Sequence, residues 1–247
     1  MKKFILVILV FFIISINSTT QAQTFQVGLN GYVSQVLGDI KETDLNNPSS
    51  GYVLYADGGN LEFLYHTKKN FAFGFRSFYT YYSKDFTTYK EDVMQQLGVS
   101  DSNMMIQSSY TYKNFGLQLG VAYQFDISEI FSIEPYFFMG GNFFTSPAEQ
   151  ITYYKRGRTF VKKKSVTGFF GFSYSPGLRF QWVIFNKRLG LNASLEYNGT
   201  SLETYVEETI TYSSNTFKKE YIQRNYNINA INIGIGIFYR FGKGVEK

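Results

Sequence analysis

The chain has no cysteine, one histidine, one tryptophan and 4 prolines in 247 residues. The missing cysteines exclude disulfides, thiolate metal sites and an acylated lipoprotein terminus. No zinc-ligand spacing, phosphate-cradling glycine loop or nucleophile elbow occurs. After residue 16 no apolar run approaches the roughly 20 residues that a transmembrane helix needs. The formal charge of +5 is too small to imply nucleic acid by itself.

The opening residues have their own logic. Lys2 and Lys3 precede an apolar run, Phe4 to Ile16. That run matches the apolar core of a secretory signal and is too short to span a bilayer as a helix. Thr20-Gln21-Ala22 places small residues at −3 and −1 of a cleavage site. The reading is a cleaved signal peptide over 1–22 and a mature barrel, with a short polar tail, over 23–247. A buried core helix is the alternative. It explains neither the flanking charge nor the cleavage pattern.

Aromatics make up 19% of the chain, with 21 Tyr and 26 Phe, beside 22 Gly. Tyr, Phe, Val and Ile favour strands, and the mature chain alternates with period two. Ile231, Ile233, Ile235, Ile237, Tyr239 and Phe241 fall on one face; Asn232, Gly234, Gly236, Phe238 and Arg240 fall on the other. Phe115 to Phe125, Phe170 to Trp182 and Leu189 to Tyr197 repeat the pattern. Eight segments follow: 24–36, 51–66, 71–83, 107–125, 131–145, 167–185, 189–212 and 217–241. The connections Thr67–Asn70, Asp126–Ile130 and Asn186–Arg188 are short. They alternate with long ones near 37–50, 84–106, 146–166 and 198–222. This predicts an all-β fold, an eight-stranded antiparallel up-and-down transmembrane β-barrel. An even strand count places both termini on the periplasmic side. A soluble barrel would instead turn its apolar face inward and carry Lys, Glu and Thr outside. Here the second face is mostly Gly, Ala, Ser and Asn, which suits a crowded eight-strand interior.

This pattern resembles the family of small outer-membrane β-barrels of OmpA/OmpX type, the outer membrane protein β-barrel domain, over the whole mature chain. The resemblance implies a multi-pass protein of a Gram-negative cell outer membrane, in contact with outer-membrane lipid. Ile237, Tyr239 and Phe241 resemble the C-terminal signal read by the barrel-assembly machinery, although Gly242 to Lys247 follow as a polar tail.

Charges recur on the inward face. Glu62 and Arg76, Glu134 and Arg179, and Glu196 and Arg240 lie on neighbouring segments. A lone charge in a narrow lumen is costly, so three pairs in one network are expected. Two readings stay open: a plug that fills space, and a gate or ion path. Tyr136 and Phe138 also project inward, which favours the plug. No enzyme is expected, because His66, the single histidine, falls at the short-turn end, away from the outer rim. No cofactor or metal is expected.

The long connections suggest surface work. The hairpin around Ser214 alternates well past membrane height, and the hairpin around Arg158 is similar. Together they would form a protruding four-stranded sheet whose edges could take an extracellular protein partner. Extended hairpins are also simply how long loops stay ordered. Lys155, Arg156, Arg158, Lys162, Lys163 and Lys164 make the third loop basic. Contact with lipopolysaccharide phosphates and a solvated loop are both compatible; nucleic acid has no further support. In the second loop, Thr88 and Glu91 have capping-box spacing and Gly98 is a stop, which suggests a short helix. The function expected is membrane integrity or surface interaction with a plugged lumen. The alternatives are a narrow porin for ions or small solutes and a PorT-like accessory of a secretion system.

Overall fold

The computed structural model of the chain describes residues 24–47, 50–108, 111–164, 167–186, 188–212 and 216–242. The expected signal peptide, its junction at Gln23 and the tail after Gly242 lie outside the described residues.

Among the described residues, twelve strands and one α-helix form. They are β1 Thr24–Leu37, β2 Val53–His66, β3 Phe71–Lys84, α1 Phe86–Leu97, β4 Met104–Ser108, β5 Thr111–Tyr123 and β6 Phe125–Asp126. After them come β7 Phe131–Ser146, β8 Glu149–Lys155, β9 Arg158–Lys164, β10 Thr167–Phe185, β11 Leu189–Tyr212 and β12 Thr216–Phe241. Eight of these strands close the barrel in the order β1-β2-β3-β5-β7-β10-β11-β12, and β12 returns to β1. Each neighbouring pair is antiparallel. Closure leaves no free edge in the wall, the condition for sheet in lipid.

Alternation decides which side of the wall each residue meets. On β12, Ile233, Ile235 and Ile237 are 62%, 75% and 51% exposed, while Asn232 is 5%. On β5, Leu117 and Leu119 are exposed and Gln118 between them is buried. The outer face is therefore the apolar one, while the inside holds buried polar and charged residues beside aromatic and aliphatic ones. In water so large an apolar belt would drive aggregation; in a bilayer it is the natural surface. Outward apolar positions on β12 run from Ile231 to Phe241, the roughly 9–11 residues that a tilted strand needs to cross. Aromatic pairs mark the short-turn rim, with Phe131 and Trp182 at 5.2 Å and Phe25 and Phe241 at 5.5 Å.

Two of the short turns use asparagine in the left-handed region, Asn70 at φ 62° and Asn186 at φ 44°, where its short polar side chain is tolerated. The long connections build a second layer. β12 loses its β1 partner after Asn229, yet its pairing with β11 continues to Tyr212 opposite Thr216. There β9 joins β11, β8 joins β9 and β4 joins β8. The upper sheet thus has five strands, one more than the two hairpins supply. The fifth, β4, straddles the boundary between the expected connection 84–106 and the expected segment 107–125: it pairs with β8, and β5 lines the barrel from Thr111.

Candidate functional site

The lumen is built in layers. Register places Arg76 opposite Glu62 and Arg179 opposite Glu134. Arg179 Nη1 donates to Glu134 Oε1 at 2.8 Å, and its Nη2 donates to Glu62. Arg76 donates to Glu196 through Nη1 and lies 3.8 Å from Glu62 Oε1. Arg76 Nε also donates to Gln118 Oε1 at 2.8 Å. Glu62 joins the two arginines, so five charges, each on a different wall strand, form one cross-lumen network rather than separate pairs. Glu196 accepts further bonds from Tyr136 Oη at 3.1 Å and Asn232 Nδ2 at 3.0 Å. Both guanidiniums also meet rings: Arg76 lies 4.7 Å from the Phe138 centroid and Arg179 4.9 Å from that of Tyr136. Those rings fit because glycine faces each of them. A Cβ on Gly120 would come within 2.3 Å of Phe138, and one on Gly177 within 2.4 Å of Tyr136.

The expected pair Glu196–Arg240 does not form. Register sets Asn232 opposite Glu196 and places Arg240 opposite Gln26, much nearer the short-turn end. Arg240 donates instead to Gln26 at 2.8 Å, to Gln124 at 3.0 Å and to Gln181. It stacks over Phe238 at 4.9 Å. His66 is buried at that same end.

Toward the long loops an amide and hydroxyl layer follows. Asn30 bonds Asn60, Ser34 bonds Asn232 and Asn142 bonds Asn114, at 2.7, 2.7 and 2.8 Å. Above it lies an apolar layer. Val36, Tyr82, Tyr112, Phe144, Leu202 and Ile228 are buried and packed together across the lumen.

Over that layer sits α1. Its N-cap is Asp85, whose side chain accepts from Thr88 N at 3.1 Å, so the cap lies three residues before the expected Thr88. Gly98 ends the helix at φ 63°, as its stop position implies. Tyr89 and Val93 are the helix's buried residues. At its root, Lys84 Nζ lies 3.0 Å from Glu149 Oε2 and 3.0 Å from the Tyr89 centroid, while Tyr89 Oη donates to Glu149. Burial alone would raise the Glu149 carboxyl, but the Lys84 charge, the Tyr89 bond and Lys164 together lower it. The sequence reading missed this cluster. Its members lie on β3, α1 and β8, and no local spacing joins them.

The basic loop is the β8–β9 hairpin, turning at Arg156-Gly157 with φ of 53° and 74°. Lys155 Nζ donates to the Leu97 carbonyl and so caps the C-terminus of α1. Lys162 and Lys164 turn inward; Arg156, Arg158 and Lys163 stay exposed. Ile237, Tyr239 and Phe241 all face outward on the last strand.

No family model and no curated protein sequence matches the chain. Among solved structures it is similar to a major outer membrane protein from Thermus thermophilus, at 13% identity and TM-score 0.49, over 90% of this chain and 100% of that one. It is similar to Ail, the attachment invasion locus protein of Yersinia pestis, at 13% identity and TM-score 0.41, over 90% and 100%. OprG from Pseudomonas aeruginosa is similar at 12% identity and TM-score 0.39, over 89% and 95%. Each likeness is one of overall architecture at low identity.

Proposed function

We propose that the chain is a non-enzymatic outer-membrane β-barrel with a closed lumen, acting in membrane integrity or surface interaction through its upper sheet. The observation that carries the closed lumen is the stack of two filled layers, the Arg–Glu network and the apolar cluster above it. An ion would have to break the first and hydrate the second. In this reading the short turns and both termini are periplasmic, and the five-stranded sheet stands outside the cell. The exposed belt supports the membrane setting. In this reading the exposed Arg156, Arg158 and Lys163 meet lipopolysaccharide phosphates, and Ile237, Tyr239 and Phe241 serve the barrel-assembly machinery.

Single-channel recording of the refolded mature protein in a planar bilayer tests the reading. A silent bilayer is expected. Discrete, reproducible openings that change with Glu134→Gln would move the narrow-porin reading to first place.

A further inference from the structure

The β11–β12 hairpin leaves one edge of the upper sheet open. β1 accompanies β12 from Phe241 to Asn229 and then turns away, while β12 continues beside β11 to Thr216. The Arg240 N–H donates to the Arg188 carbonyl, on the β11 side. Antiparallel alternation therefore turns the backbone groups of even-numbered residues toward β11 and those of odd-numbered residues toward the other edge. In the wall, β1 takes these groups. Above Asn229, among the described residues, no strand takes them. Asn227 Nδ2 donates to Asp39 Oδ2 at 2.9 Å, so the β1–β2 connection meets this edge at its foot. From Phe217 to Asn225 the edge is a template for one more strand.

The edge carries Lys218, Lys219, Glu220 and Arg224. Charges on an edge ordinarily keep other chains away. Here they match in one antiparallel self-pairing, centred on Ile222. That register sets Glu220 opposite Arg224 of a second copy, twice by symmetry, with Lys218 opposite Tyr226 and Lys219 opposite Asn225. Moving the centre to Tyr221 sets Lys218 opposite Arg224. Moving it to Gln223 leaves Glu220 and Arg224 without an opposite charge. The row through Glu220 favours the same partner. Glu220 stands opposite Glu208, and Glu208 opposite Lys164. Like charges directly opposite are destabilising; Arg224 of the second copy puts the two acids between two cations.

We propose that the β12 edges of two copies pair antiparallel about Ile222 and so join two facing outer membranes. Antiparallel pairing reverses the strand and, with it, the barrel that continues the strand. The second copy therefore sits in a different membrane. The role between cells rests on the outward orientation proposed above. At about 3.3 Å per residue, Ile222 stands about 23 Å beyond Asn229 and Thr216 about 43 Å beyond it. Two copies centred on Ile222 hold their walls about 46 Å apart along the strands, so each hairpin, as far as Thr216, ends short of the opposite wall. One such contact is small, and many copies in each membrane act together.

The chain has no cysteine, so Ile222→Cys places one thiol at the centre of the pairing. Directly opposite residues of this kind have Cα atoms about 4.5 Å apart, within the span of a disulfide. Refolded Ile222→Cys protein, carrying one of two epitope tags, is placed in two populations of phospholipid vesicles, which are mixed and then oxidised. Light scattering should show clustering before oxidation, and gels should show disulfide dimers bearing both tags. Gln223→Cys should give about a tenth as much mixed-tag dimer, because the register sets it opposite Tyr221. Arg224→Glu in the Ile222→Cys chain should lower the mixed-tag dimer about tenfold, and adding Glu220→Arg should restore it. Heat-modifiable gel mobility confirms that each variant is a folded barrel. Dimers bearing a single tag only, equal yields from Ile222→Cys and Gln223→Cys, or no recovery in the charge exchange overturns the proposal. An impermeant maleimide on whole cells reads orientation separately. Labelling of Ile222→Cys on cells without mixed-tag dimers between vesicles overturns the pairing alone. Mixed-tag dimers without labelling on cells remove the outward reading and the role between membranes, and leave the edge pairing standing.

Discussion

At the scale of single residues, the lumen separates charges that share a network from a charge that does not. Arg179 holds both Glu134 and Glu62. Arg179→Met therefore takes the arginine from buried Glu134 and leaves Glu62 to Arg76, 3.8 Å away, and a loss of about 3–5 kcal/mol is expected for breaking such a network from one side. Urea unfolding of the refolded barrel in micelles measures it. Among the described residues, Arg240 bonds to three glutamines and no carboxylate. Arg240→Gln should cost clearly less, about 1.5–3 kcal/mol, the range for hydrogen bonds to a charged group. Equal losses in the two variants would mean that Arg240 belongs to the network after all. The alternation of the strands was enough to place all six charges on the inward face. It could not state partners, because partners follow from register: one Glu facing Asn232 rather than Arg240 changes which charge Glu196 meets.

At the scale of elements, α1 depends on its ends and its root. Asp85→Ala removes the side chain that caps Thr88 N, at a cost of about 1 kcal/mol. Faster hydrogen exchange over residues 86–97, with the barrel unchanged, is the expected result. The root is pH-sensitive. The Glu149 carboxyl is lowered in the folded protein, so its contribution is fully present above the ordinary carboxylate range and is lost as pH falls through the lowered value. Acidification should release α1 before the barrel, seen as protease cleavage within 86–97 while the heat-modifiable species persists. Glu149→Gln should produce the same cleavage at neutral pH. A helix in this connection, and its stop at Gly98, were readable from local pattern. The cap was misplaced because Thr88 and Asp85 both suit the role, and only the backbone shows which one is extended.

At the scale of the whole molecule, wall and upper sheet are separable. The pairing of β11 with β12 runs unbroken from Leu189 opposite Tyr239 to Tyr212 opposite Thr216. The wall uses only its lower part, as β1 leaves β12 at Asn229. Replacing 205–223 by a short turn should leave barrel folding and gel mobility intact and abolish whatever surface binding the full chain has. If the shortened chain fails to fold, the upper sheet is part of the folding unit and the division is wrong. Period-two alternation, turn residues and the switch between short and long connections determined the fold class, the strand count of the wall and the inward or outward sense of its side chains. These are local quantities, set by the two-residue repeat of a strand and by the solvent each face must meet. Which glutamate meets which arginine, the departure of β4 to the upper sheet, the seating of α1 on Lys84 and Glu149, and the inward turn of Lys162 and Lys164 were decided only by the tertiary structure. Each depends on contacts between segments far apart in sequence, fixed when the barrel closes and its strands take their register.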